Sequence, residues 1–264
     1  MSAFFVLTRE AILDAARRRI VAVIAVVSLL SLMMVESCTS CSTGQIMVNG
    51  ELTRAVDFSG YTGAVTLATL GLWCVVLAGV LAAEHLAQAL ADGSATLGLA
   101  RPVGRGAFAL ARLAGALSIA WVTGAVLLGG TVFFLERQGE LPLAPALWAA
   151  LSVLVSGTIV GAFAMALSLH LPRIATVLLV FAVVGSVALA NASSLVRQAQ
   201  GGVIGAIDRF GPPLLTSLAL ALQPWVPRLE LAADPVDVAL RLAVWTALGL
   251  VCLLALFRRV ELGR

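Results

Sequence analysis

Long apolar stretches separated by short polar ones are the dominant pattern along the chain. They cover residues 20–35, 64–83, 113–135, 146–171, 174–190 and 240–257. Crossing a hydrocarbon core of about 30 Å takes roughly 20 helical residues, so each stretch predicts a transmembrane helix. The first and fifth are short and are expected to borrow flanking residues. A further apolar segment, Pro212–Leu222, is too short to span and opens on two prolines. It predicts a re-entrant or interfacial helix within an outer loop over 191–238. Ahead of the first span, Phe4, Phe5, Leu7, Ile12 and Leu13 alternate with Arg9, Glu10, Asp14 and Arg17. That spacing predicts an amphipathic helix over 3–19, lying in the membrane interface. A secretory signal fits poorly, because the leading region is partly acidic and no small-residue cleavage motif follows the apolar run. Glu36 likewise disfavours lipoprotein-type cleavage before Cys38. The expected fold class is all-α: a polytopic membrane protein of six transmembrane helices, forming one domain over 1–264.

Composition strengthens this picture. Of 264 residues, 61% are hydrophobic and 12% charged, and the mean hydropathy is +1.04. Soluble domains carry roughly 45–50% apolar and about 25% charged residues. A water-soluble fold of this length could not hide so much apolar surface.

The net charge of +3 acquires a meaning once the charges are sorted by side. With the N-terminus inside and six spans, eleven of the 17 basic residues fall in cytoplasmic segments, among them Arg9, Arg17, Arg18, Arg19, Arg101, Arg105, Arg112 and Arg173. Nine of the 14 acidic residues fall outside, from Glu36 to Asp237. The positive-inside rule therefore predicts N-in and C-in, and leaves nucleic-acid binding unneeded as an explanation of the charge. Every basic residue is Arg, which with heavy Ala, Leu, Val and Gly usage points to a GC-rich bacterial source, hence a bacterial inner membrane. Without a lysine the chain cannot carry a P-loop nucleotide site of its own.

Candidate chemistry is sparse. Cys38 and Cys41 form a CxxC after the first span, on the outer side. In an oxidising compartment the default is a structural disulfide, with free thiols or a redox or soft-metal role as alternatives. Cys74 and Cys252 lie within spans and are expected to be packing residues. His85 and His170 fall at cytoplasmic helix ends and are not at metal-ligand spacing, so no metal or catalytic residue is expected. Thr62, Thr66, Thr69 and Trp73 recur at helical steps on one face of the second span. Such a stripe either packs against neighbouring helices or lines a pathway. Thr176 and Ser186 on the fifth span are added to this pathway-lining set. Gly157 and Gly161 form GxxxG and predict close helix packing. No ionisable residue sits at the middle of a span, which argues against a proton-coupled carrier.

The stretch from Glu84 to Arg105 is the most specific. It carries Asp92-Gly93, then Leu97, Leu99, and Ala100-Arg101-Pro102-Val103-Gly104-Arg105. An acidic residue before Gly, a small apolar run and then Arg-Pro resembles the cytoplasmic loop of ABC-2 type permeases. The resemblance extends to the interfacial leader, the six spans and the basic end at Phe257-Arg258-Arg259. It implies a coupling helix within 84–105 that docks on a separate cytoplasmic ABC ATPase subunit, through Asp92, Gly93, Leu97, Leu99, Arg101, Pro102 and Arg105. It also implies an exporter in which two permease copies, identical or related, pair around a translocation path. ATP and Mg would be bound by the ATPase partner, with no cofactor and no catalysis in this chain. One departure is Ala111-Arg112, where family members often carry Gly-Lys. The alternatives are a non-transporting mechanotransmitter subunit, a secondary transporter or channel, and a thiol-oxidoreductase or metal-handling protein using the CxxC.

Overall fold

A computed structural model describes residues 3–16, 26, 33, 46–48, 51–53, 55–93, 104–137, 143–195, 202–224 and 233–259. Eight helices are present among them: α1 (Ala3–Ala16), α2 (Ala55–Ala91), α3 (Arg105–Arg137), α4 (Leu143–Leu167), α5 (Arg173–Leu195), α6 (Gly202–Phe210), α7 (Leu214–Leu222) and α8 (Pro235–Arg259). A short antiparallel hairpin, β1 (Ile46–Val48) and β2 (Glu51–Thr53), precedes α2, with Met47 paired to Leu52. It interrupts an otherwise helical fold. Five helices are long and apolar enough to cross a membrane: α2, α3, α4, α5 and α8. The first predicted span, 20–35, lies outside the described residues, apart from Val26 and Met33, which are both exposed.

Sequence signals account for several helix ends. Gly93, with φ of +74°, takes the left-handed conformation that closes α2, at no steric cost for glycine. Asp234 caps α8 by accepting from the Val236 amide at 3.0 Å, and Pro235 occupies the first helical turn, where no partner for its nitrogen is needed. Arg258 and Arg259 stand at the other end of α8, where the helix dipole favours cations.

Two expectations change. Helix α2 has 37 residues and is about 55 Å long, well beyond a hydrocarbon core of about 30 Å. It runs through residues 84–91, which were expected to belong to a loop, and α3 starts at Arg105 itself. The stretch from Glu84 to Ala91 contains no Gly or Pro, so the helix continues until Asp92-Gly93. The outer loop over 191–238 is also largely helical: α5 reaches Leu195, α6 occupies 202–210, and α8 starts at Pro235. The helix expected over Pro212–Leu222 forms from Leu214, because Pro212 and Pro213 exclude the regular hydrogen bonds of a helix interior.

Helix α4 is the centre of the bundle, packing most extensively on α2 and also on α8 and α7. Its small residues allow this. A Cβ added to Gly157 would lie 3.3 Å from the Ala78 Cβ, and one on Gly161 would lie 3.1 Å from Leu117. The GxxxG therefore seats α4 against α2 and α3, as its spacing suggested. The buried core has two zones. One gathers Leu86, Phe108, Met165, Leu253 and Phe257 near the C-terminal ends of α2, α4 and α8. The other gathers Leu67, Val153, Val184, Leu214 and Leu218 towards the opposite end.

Candidate functional site

Three features outside the plain apolar packing stand out: a pinned end rich in arginine, a polar corner at the opposite end, and an apolar cleft beneath that corner.

The pinned end joins α1, the C-terminal ends of α2 and α8, and the N-terminal ends of α3 and α5. Arg173, at the start of α5, donates from Nε to Oε1 of Glu84 on α2 at 2.9 Å, and the Glu84 side chain is almost fully buried. Arg112 of α3 reaches Asp14 of α1 at 3.1 Å and lies over the Phe108 ring, 5.3 Å from its centroid. Phe108 stacks on Phe257 of α8 with centroids 6.1 Å apart, and Arg105 donates to the Arg258 carbonyl at 3.3 Å. Each link joins helices far apart in sequence. The segment between α2 and α3, which carries the residues of the ABC-2 resemblance, leaves and re-enters the bundle here.

Of the residues expected to couple to an ATPase, Asp92 and Gly93 form the turn after α2, and Arg105 opens α3. Leu97, Leu99, Arg101 and Pro102 lie outside the described residues, as do Cys38 and Cys41. Cys74 is buried and Cys252 half-buried, both as free thiols. His85 is buried on α2, while His170 is exposed in the α4–α5 turn. No group of three or more His, Cys, Asp or Glu that could hold a metal comes together among the described residues.

The pathway-lining set divides. Thr69 and Trp73 share a groove of about 450 Å³ with Phe181, Val184 and Gly185 of α5. Thr69 is exposed, and its hydroxyl donates back to the Val65 carbonyl at 2.8 Å. Thr62 lies in α2, and Thr66 is half-buried on the same helix. Thr176 is fully buried at the start of α5, bonded to the Pro172 carbonyl at 3.3 Å. Ser186 opens onto a different cavity and donates to the Val183 carbonyl at 2.9 Å. Hydroxyls satisfied within their own helix cost little in lipid.

Sequence reasoning missed the polar corner. Asn191 of α5 donates from Nδ2 to Oδ1 of Asp208 on α6 at 2.9 Å, and its Oδ1 accepts from the Leu215 amide of α7 at 3.1 Å. Ser194 also donates to Asp208, at 3.2 Å. From the other side, Arg241 of α8 donates to the Asp208 carbonyl and to the Gly211 carbonyl, the latter at 2.7 Å. Trp245 donates from Nε1 to the Phe210 carbonyl at 3.1 Å. Those three carbonyls belong to the C-terminal turn of α6 and the residue after it, where acceptors lack intrahelical partners. The available signal was Asn191, a lone amide just past the apolar run that ends at Ala190.

Beneath the corner lies a cleft of about 640 Å³. Helix α4 forms its floor, α5 one wall, Trp245 of α8 the other, and the apolar face of α6 its roof. A second groove, of about 710 Å³, runs between α3 and α4 and has no charged residue in its lining. Compared with known proteins, the chain matches no family model and no curated protein.

Proposed function

We propose that this chain is the membrane-spanning subunit of an ATP-driven exporter of the ABC-2 type, oriented N-in and C-in in a bacterial inner membrane. The observation that carries the reading is where the α2–α3 segment attaches. It joins the bundle at the arginine-rich end, at which α1, α2, α3, α5 and α8 are tied together. By the positive-inside rule that end faces the cytoplasm, where an ATPase subunit would meet it.

The ties suggest how force would travel. A displacement of the segment between α2 and α3 acts on both helices directly. It reaches α5 through Glu84–Arg173, and α8 through Arg105 and the Phe108–Phe257 stack. Nucleotide and Mg would be bound by the partner, and this chain would supply the moving helices. In this reading α1 lies in the cytoplasmic interface, residues 20–35 supply a sixth span, and a second permease copy completes the path. A non-transporting mechanotransmitter is the second reading. It is favoured by the apolar lining of the grooves described, none of which offers a watery passage within one chain.

Co-expression of the full chain with a P-loop ATPase encoded beside it tests the proposal. A stable complex is expected, and Leu97→Asp with Arg101→Asp should lower its ATP-dependent activity at least tenfold while the chain still inserts. Purification without any ATPase, or unchanged activity in the double variant, would sink it. Flux of a labelled cargo, set against ATPase stimulation alone, separates exporter from mechanotransmitter.

A further inference from the structure

We infer that the cleft beneath the α6–α7 corner is a binding site for an anionic membrane phospholipid, with an acyl chain in the cleft and the phosphate at Arg209. The inference requires only that the bundle sits in a bilayer and is independent of the exporter reading.

Wall chemistry selects the part of the ligand that enters. The lining is aliphatic and aromatic, including Ile159, Phe163, Val183, Val187 and Ile207. Its one side-chain hydroxyl, on Ser186, is already bonded to the Val183 carbonyl. A sugar, ion or peptide amide entering this space would lose its water and find no replacement partner, which costs several kcal/mol per group. Hydrocarbon loses nothing. The volume of about 640 Å³ falls within the roughly 300–1,000 Å³ of sites that hold a small organic ligand.

Access is from the side. Leu179 and Val183 on the α5 wall are 37% and 47% exposed, so the space opens between α5 and α8 towards the surrounding medium. In a bilayer that medium is lipid, and an acyl chain can enter without crossing water.

The roof supplies the selectivity. Val203, Ala206, Ile207 and Phe210 of α6 face the cleft, although none of the residues of α6 is buried. A short amphipathic helix of this kind lies naturally at headgroup depth. Arg209 is exposed, with its guanidinium 5.7 Å from the centroid of Phe210, a residue of the cleft lip. Among the described residues no carboxylate pairs with it. The neighbouring Asp208 carboxylate is taken up on the α5 side by Asn191 and Ser194. Arg241 is committed to the corner carbonyls and to Asp237. Arg209 therefore leaves an exposed guanidinium beside the lip of the cleft, a partner for a phosphate. The α3–α4 groove is larger but has no cation in its lining, so hydrocarbon fit without headgroup choice is expected there.

The test uses the full chain in nanodiscs of equal phosphatidylglycerol and phosphatidylcholine, with retained lipid read by native mass spectrometry. Wild type should retain phosphatidylglycerol over phosphatidylcholine by about fivefold, the effect of one basic residue at an anionic surface. Arg209→Gln, at an exposed position, should equalise the two lipids without abolishing retention. Val183→Trp should fill the cleft and reduce retention of both, whereas Ala125→Trp in the α3–α4 groove should leave the preference intact. Equal retention by wild type, no retention, or a preference unchanged by Arg209→Gln would overturn the inference. So would a Val183→Trp protein that folds and still holds the lipid.

Discussion

Asn191 shows how much one polar side chain can hold in an apolar bundle. Its donor serves Asp208 and its acceptor serves the Leu215 amide, so a single residue fixes α5 to both α6 and α7. Asn191→Ala removes both bonds; Asp208 keeps Ser194 as a donor, but the Leu215 amide loses its acceptor, at about 1–3 kcal/mol for the group left unsatisfied. Asn191→Asp keeps the acceptor but sets a second carboxylate against Asp208, and should be the more damaging change. Thermal unfolding of the purified protein in detergent should rank wild type above Asn191→Ala and Asn191→Asp lowest; equal stability of all three would refute the role of the corner. None of this was legible in the sequence, where Asn191 stands just beyond a long apolar run. Its partners lie 17 and 24 residues further on, and meet it only because α6 folds back onto α5. Pairing across a fold-back is set by tertiary geometry, which periodicity does not encode.

At the scale of elements, the apolar pattern located α2, α3, α4, α5 and α8 well, because hydrophobicity over some 20 residues is a strong signal. Boundaries were less legible. Nothing in the composition of residues 84–91 distinguishes a loop from a helix projecting beyond the membrane, and only Gly93 marks the stop. Helix α1 illustrates a second limit. Its amphipathic spacing was readable, yet it seats on α3 through Leu7 and Ala11, while Phe4, Phe5 and Leu13 face outwards. The contact depends on Gly115, where an added Cβ would fall 2.6 Å from the Ala11 Cβ and 3.2 Å from its carbonyl carbon. Backbone cannot yield as a flexible side chain does. Gly115→Leu should therefore release α1 and break Arg112–Asp14 while leaving the remaining bundle assembled. Limited proteolysis should then cut within α1 at least tenfold faster than in wild type, and an unchanged cleavage rate would show that α1 is held by other means.

The whole molecule has two chemically different ends. Arg105, Arg112, Arg173, Arg258 and Arg259 collect at the pinned end, whereas Asp208, Asp234 and Asp237 collect around the corner with Arg209 and Arg241. The charge sorting drawn from sequence becomes spatial: each set occupies one end of the bundle. The positive-inside rule then makes a prediction about sidedness. In a background with Cys38, Cys41, Cys74 and Cys252 replaced, Arg209→Cys should react with a membrane-impermeant maleimide on intact cells. Arg259→Cys should react only after permeabilisation. The reverse pattern would invert the topology and remove the cytoplasmic placement of the α2–α3 segment.

Helix α8 touches the bundle in an uneven way: 17% of its most apolar window is buried, against 56% for α2. Yet it is fastened close to both ends, by Arg241 at the corner and by Phe257 on Phe108. The fastenings are about 24 Å apart along the helix axis, and Val244, Leu248 and Val251 face outwards between them. Such a rod has a fixed rotational phase. One residue added between the fastenings turns its far end by about 100°, so that Arg241 and Phe257 can no longer both meet their partners. The outward residues of α8 can exchange among apolar types, but the number of residues between its two anchors cannot change.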